Sequence, residues 1–138
     1  MNNYIQYINQ RINAVCSNEK NLLFYGENIN NGSKISGLSR DINLPEGNLI
    51  LNVGNCEYTH CGIGFGMMMD GNKSVLFSKQ LDFILLGMDQ IYNTYNFIKA
   101  FYNKNEIGSF TIFVIVVDQG YQGPHSSFNN PGDFASIC

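Results

Sequence analysis

Residues 52–71, NVGNCEYTHCGIGFGMMMDG, decide how this chain is read. They close a short apolar run, LILNVG (49–54), and then place one acid, Glu57, ahead of a segment that carries no further charge until Asp70. A strand that delivers the chain to a buried helix explains this order, with the carboxylate at the helix start, where unpaired backbone N–H groups and the dipole favour negative charge. Gly62, Gly64 and Gly66 lower helix propensity, so the reading expects a close approach of another backbone or of a ligand at them. Glu57 is then either a proton-handling group or simply a helix-start carboxylate.

The chain around this stretch alternates between strand and helix. In YIQYINQRINAVC (4–16), Ile5, Ile8, Ile12 and Val15 fall at spacings of three and four, which predicts a short amphipathic helix. NLLFYGE (21–27) reads as a buried strand, and the Asn- and Gly-rich ENINNGSK that follows is turn chemistry. A brief helical turn is expected around 37–42, stopped before Pro45. MMMDGNKS ends the central helix, with Gly71 as its C-terminal cap, and SVLFS (74–78) is the third strand. A long helix is expected from Leu81 to Phe101, its stripe formed by Leu81, Leu85, Met88, Ile91 or Tyr92, Tyr95 and Ile98, with the Met and aromatic side chains filling the core. TIFVIVVD (111–118) is a continuous β-branched run, the mark of a strand covered on both faces. The last segment, QGYQGPHSSFNNPGDFASIC, is loop chemistry carrying His125, with a helix beginning near Phe134. The expected fold is therefore α/β: one domain over 1–138 with a mostly parallel sheet flanked by helices on both faces.

Composition narrows the function classes. The chain has 138 residues, 44% of them hydrophobic, and a net charge of −3 with no basic run, which argues against a nucleic-acid partner. No apolar run is long enough to span a bilayer, and MNNYIQYINQR lacks the apolar core of a signal peptide, so a soluble, cytoplasmic protein is expected. Cys16, Cys56, Cys61 and Cys138 are then reduced. Cys56 and Cys61 flank His60, but their spacing is not that of a zinc knuckle or ribbon, and small buried thiols are expected instead of a metal site. Twenty asparagines give a polar bias for which the sequence offers no functional account.

The order LLFYGE, NCEYTHCGIGFGMMMDG, LFSKQLDFILLGMDQIYN and then a β-run leading to GPHSS resembles the pyrimidine-binding domain of thiamine diphosphate enzymes. The likeness is to the beta subunit of the 2-oxoacid dehydrogenase decarboxylase component and to transketolase-type enzymes, and it covers about residues 5–134. The resemblance implies that Glu57 matches the glutamate that hydrogen-bonds the aminopyrimidine ring nitrogen and activates the cofactor by proton exchange. Phe83 matches an aromatic position lining the pyrimidine pocket; core packing is the plainer reading of the same ring. His125 matches the active-site histidine that assists acyl transfer, and Glu27 lies in the loop after the first strand, supporting the site or a subunit contact.

The chain also departs from the family pattern. Gly54-Asn55-Cys56 stands where the family carries a Pro-Ile-Ser type tripeptide, and family domains continue beyond the histidine loop, so a C-terminally short version is expected. The Gly-Asp-Gly…Asn signature that holds diphosphate and metal is missing; the nearest string is Met69-Asp70-Gly71-Asn72. The resemblance thus implies half an enzyme: thiamine diphosphate shared with a diphosphate-binding partner chain that supplies the magnesium site, in a homo- or hetero-oligomer. Two alternatives compete with it. One is a non-catalytic or truncated relative acting as an interaction module, and the other is a small flavodoxin-like nucleotide-binding domain, which would need a phosphate loop after a strand.

Overall fold

The computed structural model describes residues 3–103, 107–116, 123 and 130–137. Helix α1 spans Tyr4–Cys16 and is started by a reciprocal cap, in which the Asn3 side chain accepts from the Gln6 backbone and the Gln6 side chain accepts from the Asn3 backbone. Strands β1 (Leu22–Gly26), β2 (Leu49–Asn52), β3 (Lys73–Ser78) and β4 (Ser109–Val114) form one sheet in the order β2-β1-β3-β4, with every neighbouring pair parallel. Helix α2 covers Glu57–Met69 between β2 and β3, and helix α4 covers Pro131–Ile137.

Alternation along the strands divides the core between the two faces of the sheet. Phe24 and Phe77 point to the α1 side and pack with Ile12, Cys16 and Ile35. Tyr25 and Leu76 point to the α2 side and pack with Cys61, Phe65 and Met68. Burying each of these larger apolar side chains contributes roughly 1.5–3 kcal/mol. Gly26 is required where β1 meets β3, because a Cβ there would collide with the Phe77 carbonyl. Gly71 (φ 77°) ends α2 as expected: its N–H donates to the Met68 carbonyl and the Asn72 N–H to the Met67 carbonyl, closing the last turn.

Three expectations are corrected by the structure. The segment 81–101 is not one α-helix. It winds as a 3-10 helix over Asp82–Gly87, passes through a π-helical stretch over Gln90–Thr94, and ends as helix α3 over Tyr95–Phe101. Leu81, Ile84 and Gly87 are buried at the three-residue period of the 3-10 helix, and the wider π turn then shifts the phase before Ile98. An α-helical stripe therefore does not hold: Leu85 and Tyr95 face outward, as do Tyr92, Phe97 and Phe101, which do not fill the core.

Strand β4 is not covered on both faces. Its residues alternate between exposed and half-buried, and Phe113 on the α1 side is 41% exposed, because among the described residues β4 is the outermost strand of the sheet, beyond α1. The connection at 37–42 is a run of turns instead of a helical turn. Lys34, Ile35 and Ser36, just before it, sit in the left-handed region (φ 49°, 53° and 55°), at a cost of about 1–2 kcal/mol per residue. Burial of Ile35 and the Ser39 hydroxyl, which donates to the Ile29 carbonyl, hold that geometry in place.

Candidate functional site

In this strand order the chain leaves β1 toward one edge of the sheet and crosses back over it, through α2, to β3. The direction reverses between β1 and β3, and at such a switch point a crevice opens beyond the carboxyl ends of the strands. A small cavity of about 10 Å³ occurs there, lined by Glu27 after β1, Phe77, Ser78 and Lys79 at the end of β3, and Glu57 and His60 of α2. That volume is room for about one water.

Glu57 is the first residue of α2, as the sequence reading expects, and is only 6% exposed. Among the described residues its carboxylate makes no hydrogen bond or ion pair, so its oxygens remain open to whatever occupies the crevice. The helix N-terminus offsets part of the cost of burying that charge. Its place is fixed from below by Gly87, where a Cβ would stand 2.5 Å from the Cys61 sulfur and 3.2 Å from the Glu57 carbonyl oxygen.

His60 completes the frame. Its Nε2 lies 2.6 Å from the Gly54 carbonyl, which can only accept, so the ring nitrogen carries the proton. The Tyr25 hydroxyl donates to the His60 carbonyl across 2.7 Å, and the two rings meet edge to face with centroids 6.4 Å apart. Burial, followed by the neighbouring Cys61, holds the Tyr25 phenol well above its ordinary range. Burial, followed by the charge of Glu57, pushes the Cys61 thiol up to about 11. Tyr25 and Cys61 are thus neutral struts around one carboxylate.

The structure brings Glu57 and Glu27 to the same cavity. Phe83 is half-buried on the 3-10 helix and is not among the lining residues, whereas Phe77 is. His125 lies outside the described residues. The Glu-x-x-His spacing, which puts Glu57 and His60 one turn apart, is the sequence signal for His60; Tyr25 has no such signal. Cys56 is exposed, against the expectation of a buried thiol, because it precedes the first turn of α2. Its sulfur lies 3.1 Å from the Thr59 hydroxyl, and hydrogen bonds from that hydroxyl and then from the Thr59 N–H lower its pKa.

Of the three glycines of α2, only Gly64 is crowded among the described residues, and by a side chain instead of the backbone or ligand expected: a Cβ there would run into the Phe110 ring. No group of three or more His, Cys, Asp or Glu side chains among the described residues is arranged to hold a metal ion. No helix opens directly after β1, and the start of α2 is taken by a carboxylate, so the phosphate loop of a flavodoxin-like domain has no counterpart at these positions. No helix of the described residues is long and apolar enough to cross a membrane. No protein-family model matches the chain, and no curated protein matches it.

Proposed function

We propose that this chain is the pyrimidine-binding half of a thiamine diphosphate-dependent enzyme of the 2-oxoacid decarboxylase or transketolase type, with Glu57 as its activating group. One observation carries the reading: a buried carboxylate, unpaired among the described residues, stands at the first turn of α2 and lines the crevice at the switch point of the sheet. When bound, the cofactor supplies a carbon nucleophile for attack on a carbonyl substrate. The part of Glu57 is to hold a proton against a ring nitrogen, for which a water-poor niche suits a carboxyl group. His60 and Tyr25 keep the start of α2 in register, and Phe77 walls the niche from the side of β3.

These residues fit the edge of a pyrimidine and not a diphosphate. The cavity is too small to enclose a ring, so a partner chain, which would also carry the diphosphate and magnesium sites, would have to supply the rest of the pocket. His125, which lies outside the described residues, would act on the substrate. The cavity size is also what favours the second reading, a non-catalytic relative serving as an interaction module.

Calorimetric titration of thiamine diphosphate with magnesium separates the two. It is run on this chain alone and on its mixture with a chain carrying the Gly-Asp-Gly…Asn pattern. Binding in the mixture only, abolished by Glu57→Ala, supports the enzyme reading. No binding in the mixture sinks it and leaves the module.

A further inference from the structure

The burial of Gln80 has no counterpart in bonding. Glutamine is mostly found at the surface, yet Gln80 is only 9% exposed, and its Oε1, closed to solvent, has no hydrogen-bond partner. A buried amide oxygen left unpaired is costly, and the great majority of such atoms find a partner. The Ser74 Oγ is unpaired as well, but it lies toward the opposite end of β3, in register with Leu23 and Phe110.

The backbone around Gln80 is firmly held. The Ser78 hydroxyl donates to the Gln80 carbonyl across 3.1 Å, and the Leu81 N–H donates to the Ile115 carbonyl, just past β4, across 3.0 Å. The turn that leaves β3 is thus pinned on both sides of Gln80, and the side-chain amide is what remains unspent. The two residues before it, Ser78 and Lys79, line the crevice together with Glu57. Staggered side-chain torsions let the amide swing toward that crevice while the backbone stays in place.

Two buried acceptors without partners therefore stand at the carboxyl end of the sheet, the Glu57 carboxylate and the Gln80 amide oxygen. Glu27 also lines the crevice, but it is half-exposed and keeps its water. A group that suits this place must bring hydrogen-bond donors.

We infer that the Gln80 amide oxygen accepts from the exocyclic amino group of the aminopyrimidine and so helps to select the ring that Glu57 activates. The inference rests on the cofactor reading of this crevice and adds a residue to it. Under that reading the Glu57 carboxyl is taken by the ring nitrogen, and the amino group, once enclosed, needs an acceptor other than water. A carboxamide supplies one without placing a third negative charge beside Glu27 and Glu57.

Calorimetry of the two-chain mixture with magnesium tests it. The probes are thiamine diphosphate and the analogue in which hydrogen replaces the exocyclic amino group. Gln80→Met keeps the length of the side chain and removes the amide. Because it deletes an unpaired buried group, the variant chain should unfold in urea no earlier than the wild type. It should bind thiamine diphosphate about tenfold more weakly, which is 1.4 kcal/mol, and bind the analogue as the wild type does, since only a site built to pair with the amino group discriminates for it. Early unfolding would show that the amide is paired within the fold. Equal weakening toward both ligands would place the effect in packing, and unchanged affinity for thiamine diphosphate would leave Gln80 no part in binding. Each of these three outcomes overturns the inference. Glu57→Ala separates it from the reading beneath it. If the wild-type mixture binds neither ligand, or if Glu57→Ala binds as the wild type does, the cofactor reading falls and this inference with it. If Glu57→Ala abolishes binding while Gln80→Met keeps the full preference for the amino group, the role of Gln80 alone is overturned.

Discussion

The imidazole of His60 donates to the carbonyl of Gly54 across 2.6 Å, tying the first turn of α2 to the segment that leads out of β2. The bond is what fixes the angle at which the chain turns from strand to helix, and Glu57 sits on that turn. His60→Phe keeps the ring volume and deletes the bond. It should cost about 1 kcal/mol, the net worth of one hydrogen bond, while His60→Ala adds a cavity and should cost about 2–4 kcal/mol. Urea unfolding measures both. Under the proposed function His60→Phe should also weaken cofactor binding in the two-chain mixture more than its stability loss explains, because it loosens Glu57 without touching it.

Alkaline pH should destabilise the fold through the thiol beneath Glu57. Burial, then the Glu57 charge, raises Cys61 from 9.0 to about 11. Between those values the unfolded chain loses the proton and the folded one keeps it, so the unfolded state gains. The contribution of Cys61 is complete below pH 9 and falls away as pH rises toward 11. Tyr25 shifts in the same direction, chiefly through burial. Urea midpoints should drop between pH 8.5 and pH 11, and Cys61→Ala should flatten the drop although it lowers stability at neutral pH. An unchanged slope in that variant would show that the thiol is not the group responsible.

Much of this architecture is legible in the sequence, and the failures have a common cause. Helix α1 follows from the spacing of its isoleucines, and Glu57 marks the start of α2 because an acid ahead of an uncharged run has few other places to go. Segment 81–101 defeats a periodicity argument, which assumes 3.6 residues per turn throughout, because this chain passes from three residues per turn to a π turn. The exposure of Phe113 is hidden in the sequence because an unbroken apolar run does not say which strand lies outermost among the described residues. The frame of His60 and Tyr25 depends on a contact between residues 35 positions apart, which no local pattern encodes.

Two thiols five residues apart should behave as opposites. Cys56 is exposed, and the Thr59 hydroxyl and then the Thr59 N–H lower its pKa; Cys61 is buried and raised. Iodoacetamide at neutral pH should label Cys56 first and leave Cys61 and Cys16 untouched until the fold opens. Thr59→Ala removes the hydroxyl and should slow labelling of Cys56. Peptide mass spectrometry over a time course gives the order, and equal rates for Cys56 and Cys61 would contradict the burial assigned to them.

The asparagines also acquire a role, clearest at Asn48. Its Oδ1 accepts from the Leu22 N–H at 2.8 Å, and its Nδ2 donates to the carbonyls of Glu19 at 2.9 Å and Pro45 at 3.0 Å. One amide therefore joins the start of β1, the turn before it and the approach to β2, which sets where the two strands begin to pair. Only a side chain with an acceptor and two donors on a short stem can do this. Asn48→Ala deletes three bonds and should cost about 2–3 kcal/mol at roughly 1 kcal/mol each. Asn48→Asp keeps the acceptor for Leu22 but turns a carboxylate toward two carbonyls, so it should be no more stable than the alanine variant at neutral pH. Acidification through the ordinary aspartate range, about pH 4, restores one donor and should bring part of that loss back. Urea midpoints of the two variants at pH 7 and below pH 4 decide the matter: recovery in the aspartate variant alone confirms that the donors matter, and equal behaviour of both would place the stabilisation in the Leu22 contact.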